Sequence, residues 1–68
     1  MLISFDAITD MQNFVEELSH DEADYAVDWG DMEVEVDIDH VKEMASDPPF
    51  LAEWLSSTYN AKVEDYDG

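Results

Sequence analysis

Residues 24–39 read Asp24-Tyr25-Ala26-Val27-Asp28-Trp29-Gly30-Asp31-Met32-Glu33-Val34-Glu35-Val36-Asp37-Ile38-Asp39, and their pattern decides the fold. Tyr25, Val27 and Trp29 alternate with Asp24, Ala26 and Asp28. Beyond Gly30-Asp31, Met32, Val34, Val36 and Ile38 alternate with Glu33, Glu35, Asp37 and Asp39. A period of two is that of a strand with one face buried. Gly at the first position of a two-residue loop suits a type II′ hairpin, which predicts Trp29 opposite Met32, Val27 opposite Val34 and Tyr25 opposite Val36. That register sets every apolar side chain on one face, and a slip of one residue would expose them all. The other face then pairs Asp28 with Glu33, Ala26 with Glu35 and Asp24 with Asp37.

Working outward, Leu2 to Phe5 is a short apolar run that reads as a first strand. Thr9 followed three residues later by Gln12 fits a capping box, and Ile8, Met11, Phe14, Val15 and Leu18 recur at helical spacing. After the hairpin, Asp37 or Asp39 caps a short helix through Val41, Met44 and Ala45. Asp47 with Pro48 matches a new N-cap with proline at the first helical position, and that helix continues through Phe50, Leu51, Trp54, Leu55 and Thr58 to a stop at Asn60. Pro48 and Pro49 bend or divide the helical region rather than separate domains. Ala61 to Tyr66 reads as a last strand. The expected fold class is α+β, in one domain over residues 1–68. A mainly antiparallel sheet of three or four strands, in β-α-β-β-α-β order, carries helices on one face, as in a split β-α-β sandwich.

Charge narrows the function. The 68 residues carry 19 Asp and Glu against two Lys and no Arg, a formal net charge of −17. With so few cations to neutralise phosphates, direct binding to DNA, RNA or an anionic lipid surface is set aside. A hydrophobic fraction of 46% with eight aromatic residues argues against a disordered acidic tail, which lacks such residues. A chain this short buries only about 60% of its unfolded surface, which leaves little room for an enclosed active site. There is no cysteine, so disulfides, thiolate metal sites and thiol nucleophiles drop out. The start, Met1-Leu2-Ile3-Ser4-Phe5-Asp6, has neither the basic segment of a signal peptide nor the length of a membrane span, and the expected compartment is the cytoplasm.

The exposed hairpin face is the candidate site. Alternate strand positions stand roughly 6.6 Å apart, so Glu33, Glu35, Asp37 and Asp39 are expected to form a row of carboxylates. Asp24 and Asp28 lie alongside on the neighbouring strand, and Asp31 sits at the turn. Like charges facing each other across a sheet cost roughly 0.2–1 kcal/mol per pair, and a surface selected for stability mixes both signs. An ordered row of anions instead imitates a phosphate backbone. In charge and size the chain resembles the acidic decoys that bacteriophages and mobile elements deploy against host restriction, CRISPR, nucleoid or transcription proteins. The resemblance implies an inhibitor that occupies a basic nucleic-acid-binding site in the host cytoplasm. Self-repulsion opposes dimers while an exposed strand edge or aromatic patch favours one, so a monomer or weak homodimer is expected.

Two alternatives stand beside it. In a halophile, an acid-rich, Lys-poor surface is an adaptation to solvent and reports nothing about partners. An acidic antitoxin or adaptor would cover a basic protein without imitating DNA. No cofactor and no dedicated metal site is expected. Asp37-Ile38-Asp39-His40 and His20-Asp21-Glu22 contain oxygen and imidazole ligands, but neither has the order of a calcium loop and no His-Glu-x-x-His motif occurs. No catalytic residue is assigned, because His20, His40, Ser4, Ser19 and Ser46 have no spacing that builds a triad. The histidines read as surface or cap-proximal residues. Trp54, Tyr25 and Phe50 read as core from their period, with Trp29 partly exposed beside the turn.

Overall fold

A computed structural model describes residues 1–20 and 24–64. Its elements in chain order are β1 (Leu2–Phe5), α1 (Ile8–His20), β2 (Tyr25–Asp28), β3 (Glu33–Val36), α2 (Ile38–Met44), α3 (Leu51–Tyr59) and β4 (Ala61–Val63). The four strands form one sheet in the order β2-β3-β1-β4, with every neighbouring pair antiparallel. β1 and β2 therefore run the same way with β3 between them, and β3 and β4 do so with β1 between them. This is the split β-α-β arrangement, with the second crossover divided into two helices.

The hairpin register is the expected one: Tyr25 faces Val36, Ala26 faces Glu35, Val27 faces Val34 and Asp28 faces Glu33. Its loop differs. The turn takes the four residues Trp29 to Met32, Gly30 does not have a positive φ, and the left-handed position falls on Met32 at φ 56°. Two hydrogen bonds account for the wider loop. The Asp28 carboxylate accepts from the Asp31 N–H at 3.1 Å, and the Met32 carbonyl accepts from the Phe5 N–H at 3.0 Å. An aspartate closing its own turn in this way competes with the tight type II′ loop.

The inner face of the sheet supplies Ile3, Phe5, Val34, Val36 and Ala61 to the core; α1 adds Met11, Phe14 and Leu18, α2 adds Val41, and α3 adds Leu51 and Leu55. Spacings of three and four put the α1 residues on one stripe. An aromatic chain runs through the packing: Phe5 to Phe14 at 5.5 Å between ring centroids, Phe14 edge-on to Tyr59 at 5.2 Å, and Tyr59 edge-on to Trp54 at 5.7 Å.

Four sequence expectations are corrected. α1 begins at Ile8, where the Ala7 carbonyl takes the Met11 N–H. Thr9 is thus inside the first turn rather than capping it, and Ile8 is 45% exposed. The link from Phe5 is only two residues, Asp6 and Ala7. β3 ends at Val36 instead of running on through Asp39; of the two expected caps Asp37 is the N-cap of α2, its carboxylate accepting from the Asp39 N–H at 3.0 Å. α3 starts at Leu51 with Phe50 as an N-cap that makes no side-chain bond. Pro49 bars Pro48 from helical backbone, so Asp47-Pro48 cannot open this helix. Phe50 is 63% exposed instead of buried. Asn60 does end α3, in left-handed conformation at φ 53°. Of the expected last strand, Ala61–Val63 forms β4, while Asp65 and Tyr66 lie outside the described residues.

Candidate partner-binding face

All three helices bury their apolar side chains against one side of the sheet, so the other side is open. Cross-strand register assigns its side chains in two rows. One row runs Asp28, Glu33, Ser4 and Lys62. The next runs Ala26, Glu35 and Leu2, and the Glu64 N–H to Leu2 carbonyl bond of 2.9 Å brings Glu64 alongside. Asp24, Glu35 and Asp37 then share an open hollow with Met1, Tyr25, Ala26 and Val36 at one end of the hairpin.

The predicted row of four acids along one strand is cut to two. Glu33 and Glu35 remain in β3; Asp37 leaves the strand as a helix cap, yet stays beside Asp24 at the sheet's end. Asp39 lies in the first turn of α2, turned out of the row by the cap. Asp31 stands on the hairpin loop, where its N–H is held by Asp28. The structure thus gathers Asp24, Asp28, Glu33, Glu35 and Asp37 on or beside one face, with Asp31 at its tip.

Glu64 is the acid that sequence reasoning left out of this face. The signal was available: Ala61 and Val63 point inward, so Lys62 and Glu64 must point out. The Ser4 hydroxyl donates to Glu64 Oε1 at 2.7 Å, fixing that carboxylate over β1. Lys62 places one cation in the corner of the face, and Leu2 one apolar side chain in its middle.

Charge compensation is nearly absent. Among the described residues the one contact of this kind is His20 Nε2 with Glu16 Oε1, at 4.0 Å on the exposed end of α1, an ion pair only when the imidazole is protonated. Asp28 and Glu33 stand directly opposite each other with no lysine between them. Other exposed acids lie away from the sheet face: Asp6, Glu16 and Glu17 around α1, and Glu43, Asp47 and Glu53 around α2 and α3. Asp21, Glu22, Asp65 and Asp67 fall outside the described residues. Partial burial, then the Glu17 charge, raises the Tyr59 phenol above its ordinary value.

Among the described residues no group of three or more His, Asp or Glu is arranged to hold a metal ion, and no helix is long and apolar enough to cross a membrane. His40 is half-buried and cap-proximal, its backbone N–H donating to the carbonyl of the α2 N-cap Asp37 at 3.1 Å. No protein-family model, no curated protein and no solved structure matches the chain.

Proposed function

We propose that the protein is a DNA mimic, serving a phage or mobile element, that occupies the basic nucleic-acid-binding site of a restriction, CRISPR, nucleoid or transcription protein and keeps DNA out. The observation that carries this reading is charge density. The described residues hold 15 acids against two lysines, 13 negative charges net, over a longest dimension of 30 Å. Duplex DNA of that length carries about 18. The molecule as a whole therefore carries roughly three-quarters of the charge of a duplex of its own length, on a body shorter than the approximately 34 Å of one helical turn. The open sheet face supplies the contact, with Asp28, Glu33, Glu35 and Glu64 on it, Asp24 and Asp37 at its end and Asp31 at its tip. Carboxylates left unpaired in the free protein have their cations supplied by the partner, which speeds encounter and makes the complex salt-sensitive. The reading assigns no catalytic step.

The test is capture from a bacterial lysate with the wild-type protein and with a Glu33→Lys, Glu35→Lys variant. A mimic's partner is displaced by duplex DNA and by added salt, and is lost with the variant. A partner that stays bound in the presence of excess DNA rejects mimicry and leaves the acidic adaptor.

The exposed acids on the helical layer favour a second reading, a solvent-adapted domain from a halophile, since a groove contacts one side only. Circular dichroism in dilute buffer separates the two. A halophilic domain is unfolded there and folds in molar salt, whereas a mimic is folded at ordinary ionic strength.

A further inference from the structure

The helical layer carries one apolar feature that the sheet-face reading does not use. Pro48, Pro49, Phe50, Glu53, Trp54 and Ser57 line an open hollow at the start of α3. Phe50 is the most exposed of the large apolar side chains, at 63%. Since α3 ends next to Ala61, which pairs with Phe5, its start lies toward the end of the sheet away from Trp29 and the hairpin loop.

Three local preferences are broken to hold Phe50 there. Ser46 and Asp47 are consecutive left-handed residues, at φ 62° and 50°, although neither is glycine. They are pinned by Ser46 N–H to the Glu43 carbonyl at 3.1 Å and Asp47 N–H to the Lys42 carbonyl at 2.7 Å. The N-cap position, which favours Ser, Thr, Asp or Asn, is given to Phe50 and makes no side-chain bond. Two prolines then stiffen the approach, so the ring is presented on a pre-ordered turn.

The chemistry around the ring selects its occupant. Glu53 and Trp54, from the first turn of α3, line the same hollow as Phe50, so a carboxylate and a second aromatic ring stand around it. Glu53 is exposed and has no ion-pair partner among the described residues. A guanidinium satisfies both parts at once, stacking on an aromatic face while its N–H fork meets a carboxylate; a hydrated ammonium does this less well. A second copy of this chain cannot be that occupant, because it has no arginine and carries the same −17 charge. We infer that the Phe50, Glu53 and Trp54 hollow docks an arginine side chain from a basic segment of the partner protein. This rests on the partner being basic, as proposed above, and adds a contact on a different side of the molecule.

The test uses two short acetylated peptides of equal charge, a Gly-Arg repeat and a Gly-Lys repeat, titrated into the whole protein while the Trp54 indole N–H is followed by NMR. The Arg peptide is expected to bind about three to five times more tightly and to shift Trp54 and the amides of residues 50–57. Phe50→Leu, which keeps an apolar side chain at an exposed position, removes the preference. Equal affinities, shifts confined to the sheet face, or a preference that survives Phe50→Leu each overturn the inference. If DNA fails to displace a captured partner while the Arg preference persists, mimicry fails and the docking site stands. The reverse pattern removes the docking site alone.

Discussion

Asp37 serves two ends with one carboxylate: it caps α2 through the Asp39 N–H and adds negative charge beside Asp24 and Glu35. Substitution can separate them. Asp37→Ala is expected to cost about 1 kcal/mol through the lost cap, read as a lower urea midpoint, whereas Asp37→Asn keeps a good capping side chain and removes only the charge. If Asn costs as much stability as Ala, the cap is not what holds α2. Gly30 tests the hairpin loop. A Cβ there meets only Asp28 Oδ1 at 3.4 Å, and the residue does not use positive φ. Gly30→Ala is therefore expected to be neutral or to stabilise by up to about 1 kcal/mol in the same assay, where a type II′ loop would be destabilised. Tyr59 contributes to the alkaline limit. Its phenol is raised above the ordinary value of 10.0, first by burial and then by Glu17. The folded state thus favours the neutral form. That contribution is fully present below the unfolded value and is lost as pH rises through the folded one. Urea midpoints should fall above about pH 10, and Tyr59→Phe, which keeps the ring contacts, should flatten that fall.

Among the elements, the hairpin register was legible because two constraints coincide: period two in the sequence and a single buried face. The strand end was not. In Glu33-Val34-Glu35-Val36-Asp37-Ile38-Asp39 the alternation continues past Val36, and an aspartate capping a helix looks the same as one on a strand's outer face. Only the Asp39 N–H, turned back onto Asp37, separates them. The start of α3 was misread for a different reason: Asp47-Pro48 is a sound helix opening alone, and Pro49 cancels it. The acidic face was legible in its sign and in most of its members. Its geometry was legible only in part: alternation turns Lys62 and Glu64 outward, but the place of β4 beside β1 comes from a pairing between chain ends that local pattern does not reveal. α3 depends on its buried side more than on its caps. Leu55 is fully buried, so Leu55→Ala is expected to cost about 2–5 kcal/mol, a large share of the roughly 5–15 kcal/mol of a typical domain. Loss of the chemical-shift dispersion of α3 and β4 together would show that they open as one unit.

At the scale of the whole molecule, the same charge that suits a basic partner opposes the compact state. Glu33→Lys places a cation directly opposite Asp28 and is expected to stabilise the free fold by roughly 0.2–1 kcal/mol at low ionic strength, with the gain fading as salt screens it. Thermal unfolding of wild type and variant across a sodium chloride series checks this. If the variant is less stable at every concentration, the Asp28–Glu33 repulsion is not a net cost. The scarcity of basic residues has a practical side as well. Trypsin cleaves after lysine and arginine, and here it finds two bonds, one after Lys42 inside α2 and one after Lys62 inside β4. Both lie within regular structure, so cutting must wait for that structure to open. Each cut reports on one element, the first on the α2 crossover and the second on the edge strand of the acidic face, and a partner seated on that face should slow the cut at Lys62 far more than the cut at Lys42.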